Sequence, residues 1–296
     1  MNVKTNGAKA WGLAARPKTL TGAAAPVMIG AAAAFSHTDM DNIKWTPIIL
    51  AMLFALAMQI DANLINDFYD FKKGADGEGR LGPERACAQG WVTLKAMKWA
   101  IAITSMMAVA FGLPLISYGG WEMVAVGAAC LIFAWLYTTH LSYWGLGDIL
   151  VLIFFGLVPV LFTEYLSTGH FFRQSWMLGL AMGLATDCLL IVNNYRDIEQ
   201  DKLNGKITLI VRIGKKWARH LYLFCGFVAV ALVIPQAQLA TVALTPYIFL
   251  HFKTYKNLAT TIGRPLNHTL GLTARNIFIF AILASCALIL HKLIQV

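Results

Sequence analysis

Charge is what this sequence has least of. Asp, Glu, Lys and Arg make up 13% of its 296 residues, against 58% hydrophobic ones, where a soluble domain carries about a quarter charged residues. That scarcity excludes an ordinary globular domain. Paired cysteines are missing too. Cys87, Cys130, Cys188, Cys225 and Cys286 lie far apart with no CxxC spacing, so neither a disulfide framework nor a zinc site is implied. The seven histidines form no ligand spacing and mostly flank apolar runs, which gives them no catalytic role. The net charge of +9 would suit nucleic acid, but the basic residues cluster between apolar runs in a side-dependent way, so no nucleic-acid partner is implied.

What is present is a series of apolar runs of roughly 15–23 residues, near the ~20 a helix needs to cross a bilayer. They read as Thr19–Phe35, Thr46–Leu64, Ala96–Tyr118, Trp121–Tyr137, Ile149–Leu166, Trp176–Asn193 and Ile277–Leu290. A longer stretch from Leu221 to Phe252 divides at Pro235-Gln-Ala-Gln into two short helices. The expectation is an all-α polytopic membrane protein of about nine spans, a single domain over 1–296. Ahead of the first span, Trp11, Leu13 and Ala14 beside Arg16 suggest a short interfacial helix stopped by Pro17. A basic leader and Ala32-Ala33-Ala34 give the first run some signal-peptide character, but the leader is long and Pro26 and Gly30 interrupt the core, so it reads as a span.

With the N-terminus inside, 21 of the 24 Lys and Arg fall on the cytoplasmic side, leaving Lys44, Arg173 and Lys292 outside. That bias predicts an integral protein of the inner or plasma membrane, N-terminus cytoplasmic and C-terminus outside.

Against this background Asp61-Ala-Asn-Leu-Ile-Asn-Asp-Phe-Tyr-Asp70 stands out at the end of the second run. In a helix Asn63, Asn66, Asp67 and Asp70 share one face. Clustered carboxylates repel and are costly to desolvate unless a positive group sits among them. A hard divalent cation with diphosphate oxygens would serve; the plain alternative is a helix end facing water. The pattern returns as Asn193-Asn-Tyr-Arg-Asp-Ile-Glu-Gln-Asp201, where the sixth span leaves the membrane on the same side. Asn193, Arg196, Asp197 and Asp201 again share a face. This resembles a degenerate duplication, with halves of roughly 1–140 and 141–296 and a site between them. Lys72, Lys73, Arg80 and Arg85 follow the first motif and Lys202, Lys206 and Arg212 the second. Arg80, Arg85, Lys72, Arg196 and Lys206 are the candidates to bind diphosphate. Asp61 and Asp187 sit within spans, where a functional or a paired structural role is equally open, and Asp148 reads as an N-cap of the fifth span.

The two motifs closely resemble the UbiA superfamily of intramembrane aromatic prenyltransferases. Finer wording resembles the branch acting on 1,4-dihydroxy-2-naphthoate in menaquinone biosynthesis: Arg16-Pro-Lys-Thr-Leu20, Phe71-Lys-Lys-Gly-Ala-Asp76, Arg80-Leu-Gly-Pro-Glu-Arg85, Gly145-Leu-Gly-Asp-Ile149, Gly205-Lys-Ile-Thr-Leu209 and Thr273-Ala-Arg275. One departure is Tyr137-Thr-Thr-His-Leu-Ser-Tyr143, where a Gly/Pro-rich linker is expected. The resemblance implies a helical bundle around a central cavity with a cytoplasmic cap. It implies Mg²⁺ held by Asp67, Asp70, Asp197 and Asp201, with Asp76 a further candidate. Asn63, Asn66 and Asn193 would orient those carboxylates or touch diphosphate, and Tyr137 would face the allyl cation. A polyprenyl diphosphate would then prenylate dihydroxynaphthoate with loss of CO₂ and diphosphate, giving demethylmenaquinol. Two rivals stand beside this: a UbiA-type enzyme with another acceptor such as 4-hydroxybenzoate, and a cation-coupled secondary transporter.

Overall fold

A computed structural model describes residues 3–74 and 80–295, and their regular structure is entirely helical. After α1 (Ala8–Ala15) come α2 (Pro17–His37), α3 (Trp45–Lys72), α4 (Leu94–Gly112), a short α5 (Ile116–Gly119) and α6 (Glu122–Leu136). The second half holds α7 (Gly147–Leu152), α8 (Val158–Thr168), α9 (Ser175–Leu203), α10 (Leu209–Ala237), α11 (Thr245–Thr260) and α12 (Leu266–Gln295). Eight stretches are long and apolar enough to cross a membrane. One of them, Leu209–Thr260, runs to 52 residues, far beyond one crossing, and contains both α10 and α11, so the expected count of about nine is met.

Three points of punctuation are sharpened or changed. Pro17 does not stop α1 so much as start α2: Arg16 takes a left-handed φ of 51° at the corner, and proline is well suited to a first helical position. The division expected at Pro235-Gln-Ala-Gln falls at its last residue: α10 passes through Pro235 to Ala237, the chain turns at Gln238, φ 44°, and Gln238–Leu244 form a 3₁₀ connection into α11. The segment expected as a Gly/Pro-rich linker is instead a π-helical continuation of α6, Tyr137–Leu141. A second π turn, Ile153–Leu157, joins α7 to α8. Single π turns are frequent at functional sites.

In lipid, helices gain little from hiding one apolar surface against another, so close backbone approach and small side chains hold them together. Gly156 in the second π turn meets Gly179 and Gly183 of α9 so closely that a Cβ there would lie 2.5 Å from the Gly179 carbonyl oxygen. The central core gathers Ile29 and Ala33 of α2, Leu178 and Met182 of α9, and Phe280 and Ala284 of α12. The helices α3 and α9 extend unbroken through both acidic motifs. At the other end of the bundle, Lys292 Nζ donates to the carbonyl oxygens of Phe35 (2.8 Å) and Thr38 (2.5 Å), and the backbone N–H of Lys44 bonds to Ser167 O. Lys44 and Lys292 thus lie at the end of the bundle opposite the acidic motifs.

Candidate active site

The α3 motif divides on inspection. Asp61 is fully buried and accepts hydroxyl hydrogen bonds from Thr104 (2.5 Å) and Ser105 (2.8 Å) of α4. Both oxygens are used, so Asp61 staples two spans. Asn63, also buried, donates to Ala15 O at 3.0 Å and Thr19 Oγ1 at 2.8 Å, which fixes the corner that carries Arg16. Asn66 Oδ1 accepts from Thr138 of the π turn at 2.5 Å. Asp67 is 1% exposed, and its two oxygens accept the backbone N–H groups of Ala86 (2.8 Å) and Cys87 (2.9 Å). Of the α3 carboxylates, Asp70 faces the site: it stays partly exposed and pairs with Arg85 Nη2 at 2.6 Å.

The α9 motif is bound differently. Arg196, buried, grips both oxygens of Asp197 at 2.7 and 2.6 Å while also donating to Asn193 Oδ1 (2.8 Å) and Asn267 Oδ1 (2.7 Å). Asp201 lies 3.6 Å from Lys206 Nζ, and its other oxygen, Oδ2, is buried without a hydrogen-bond partner.

Residues 80–85 lie between the two motifs. Gly82 comes so near Arg196 and Arg80 that a Cβ there would sit 3.0 and 3.2 Å from their Nη2 atoms. Asn267 Nδ2 donates to Leu81 O at 2.8 Å, and Arg80 Nε donates to Pro83 O at 3.0 Å. One side chain, Asn267, therefore ties the segment after α3 to the arginine of α9. The charges overlap as well: burial and the carboxylates of Asp70 and Asp201, one from each motif, raise the Tyr143 phenol above its usual pKa. The Tyr143 ring carries Lys73 Nζ at 4.2 Å, and Lys73 also donates to Thr139 O at 3.0 Å. Lys72 is exposed, outside this network. Asp76 lies outside the described residues.

Four further residues belong to this region. Burial, and the nearby charges of Arg85 and Arg80, push the Arg16 guanidinium down to about 9 against the opposing pull of Asp67 and Asp70. Tyr137, Asn194, Lys206 and Asp148 line a cavity of about 10 Å³, room for about one water. The expected N-cap role of Asp148 is not seen: α7 begins at Gly147, and neither Asp148 oxygen has a hydrogen-bond partner. Asn267 carried no signal in the sequence, standing 71 residues from the arginine it contacts.

Among the described residues no three Asp, Glu, His or Cys side chains converge as a ready-made metal cage. The donor set nevertheless fits a hard cation at Asp70, Asp197 and Asp201: all-oxygen ligands, two of them partly open, with the orphaned Asp201 Oδ2 between burial and charge. Asp67, 1% exposed and holding the amides of Ala86 and Cys87, is the least accessible of the four motif carboxylates.

Two acidic helix ends tied together through Asn267 and residues 80–85, in an all-helical bundle with helices long and apolar enough to cross a membrane, define an intramembrane helical protein. The sequence from 23 to 261 matches the UbiA prenyltransferase family. A 1,4-dihydroxy-2-naphthoate octaprenyltransferase of Mycobacterium tuberculosis is 38% identical over 232 residues, 76% of each chain. One of Haemophilus influenzae is 32% identical over 250 residues, 81% of each. Among solved structures, a UbiA homolog from Aeropyrum pernix superposes with a TM-score of 0.69 at 16% identity, covering 89% of this chain and 96% of its own. Another from Archaeoglobus fulgidus, bound to DMAPP and Mg²⁺, gives 0.63 at 13% identity, covering 94% and 98%. The chain belongs to the UbiA prenyltransferase family, and it is an integral membrane protein.

Proposed function

We propose that this protein transfers a polyprenyl group from an allylic diphosphate to 1,4-dihydroxy-2-naphthoate, with loss of CO₂ and diphosphate, giving demethylmenaquinol for menaquinone biosynthesis. The observation that supports the donor half is the meeting of both motifs around residues 80–85, where Asn267 bonds both Arg196 and Leu81 O and Gly82 packs against Arg196. The acceptor half is supported by the names of the relatives at 32–38% identity.

Mg²⁺ held by Asp70, Asp197 and Asp201 would neutralise charge on the departing diphosphate. Arg16, Arg80, Arg85 and Arg196 would grip the same oxygens, the guanidinium fork being suited to bidentate phosphate contacts. Breaking the allylic C–O bond is helped most by charge complementarity fixed in advance, and the Asn193–Arg196–Asn267 chain fixes it here. Residues 80–85 would keep water from the allyl cation, with Tyr137 offering it an aromatic face. The acids lie at helix ends rather than mid-membrane, which disfavours the transporter reading. On the positive-inside bias the site faces the cytoplasm, with the N-terminus inside and the C-terminus outside. The two halves, about 1–140 and 141–296, would each contribute one motif helix.

The test feeds membranes containing the protein a polyprenyl diphosphate with either dihydroxynaphthoate or 4-hydroxybenzoate. Product from the naphthoate supports the reading; product from 4-hydroxybenzoate alone overturns the acceptor assignment.

A further inference from the structure

Two buried carboxylates take no part in holding diphosphate. Asp148, on the first turn of α7, is 8% exposed, and neither of its oxygens has a hydrogen-bond partner. Asp187, in the middle of α9, is 4% exposed with Oδ1 likewise unpartnered. They belong to one neighbourhood: the charge of Asp148 acts on Asp187, and both act on the Tyr137 phenol, as do Asp70 and Asp201 of the two motifs. Among the described residues neither Asp148 nor Asp187 forms an ion pair; Lys206, which shares the small cavity with Asp148, is 3.6 Å from Asp201 instead. The Asp148 carboxylate is eased only by its own backbone N–H, and Gly147 packs against Tyr137 and Leu190 and brings α7 close to α9.

Desolvated acceptors without donors are unfavourable, and native structures keep them where something else supplies the donor. The missing partner here has to carry O–H or N–H groups, lie beside Tyr137 and be reachable from the diphosphate site. A water, for which the cavity has room, has this chemistry, and so does the hydroxyl of an aromatic acceptor that displaces it; the diphosphate, all oxygens and negative charge, does not. We propose that Asp148 accepts the hydrogen bond and then the proton of an acceptor hydroxyl, with Asp187 supplying the second set of hydrogen-bond-accepting oxygens in the same subsite.

The step balances, and it rests on the naphthoate reading above. The hydroxyl beside the carboxyl-bearing ring carbon gives its proton to Asp148. The electron pair thus released lets that carbon bond the allylic carbon as the C–O bond to diphosphate breaks. The ring carbon now bears both groups next to a ketone, so the bond to the carboxylate breaks, CO₂ leaves, and its electron pair restores the aromatic oxyanion. Asp148 returns the proton. No net proton, oxidant or reductant is needed.

The experiment uses the purified full-length protein in lipid and two competitive inhibitors that differ by one hydroxyl, 1-hydroxy-2-naphthoate and 2-naphthoate. In the wild type the hydroxylated inhibitor should bind at least about 10-fold tighter. Asp148→Asn should shrink that preference to within about twofold and lower kcat with dihydroxynaphthoate about 100- to 1,000-fold, a typical general-base effect, with the KM for prenyl diphosphate moving less than twofold. Asp148→Ser is measured beside it in case the amide disturbs folding. A wild type indifferent to the hydroxyl, a variant that keeps the preference, or a parallel rise in the donor KM overturns the proposal. If the enzyme ignores hydroxynaphthoates yet prenylates another phenol, the acceptor reading fails, and the same hydroxyl comparison on that phenol still tests Asp148.

Discussion

The two acidic motifs look interchangeable as text, but they are built in opposite ways. At the end of α3 the third polar position, Asp67, turns into the protein and holds the backbone of Ala86 and Cys87. At the end of α9 the matching residue, Asp197, is held by a side chain, Arg196, and stays partly open. One carboxylate shapes the loop that brings Arg85 to Asp70; the other remains at the site. The fifth residue of each motif is used differently, Asp67 as a scaffold and Asp197 at the site, so equal spacing on a helix does not mean equal use.

The largest expected effect separates Asp70 from Asp67. Asp70→Asn or Asp197→Asn should lower kcat about 10³-fold, the upper range for losing one fixed electrostatic contact, with little change in thermal stability. Asp67→Asn should do the reverse. It leaves buried amides poorly matched and costs about 1–3 kcal/mol, seen as a lower melting temperature, while the Mg²⁺ concentration for half-maximal activity stays that of the wild type. If Asp67→Asn raised that Mg²⁺ requirement as much as Asp70→Asn, the contrast drawn between the motifs would collapse. Next in size is Asn267→Ala, which removes the link between Arg196 and Leu81. About 1–2 kcal/mol of hydrogen bonding to a charged partner is lost, read as a roughly 10-fold higher KM for prenyl diphosphate. The smallest effect is on the α3 side. Arg16 keeps its proton throughout the working pH range, so its contribution lies in the bidentate fork; Arg16→Lys, which keeps the charge and loses the fork, should raise the KM for prenyl diphosphate about threefold at every pH tested.

Much of the fold was legible because a bilayer imposes lengths: the spans, their approximate number and the shared exit of α3 and α9 all follow from apolar runs. Helix punctuation was less so. The division expected at Pro235-Gln-Ala-Gln falls only at Gln238, after α10 has passed through the proline, and Tyr137–Leu141, where the resemblance implies a Gly/Pro-rich linker, winds as a π turn. Within the site, periodicity put Asp67 and Asp70 on one face without saying that the backbone of residues 86–87 would claim the first. Asn267 and the unpartnered oxygens of Asp148 depend on contacts between distant helices, for which local spacing holds no signal. Asp61 resolved into a structural staple once Thr104 and Ser105 of α4 stood opposite it.

If both motifs act on one diphosphate, a double-mutant cycle on Asp70 and Asp197 shows it directly. Rates of prenyl transfer are measured for the wild type, Asp70→Asn, Asp197→Asn and the double variant at saturating Mg²⁺. The double variant should be about as slow as the slower single one, because removing either carboxylate already breaks the shared site. Losses that multiply would mean the two carboxylates act independently, and would contradict it.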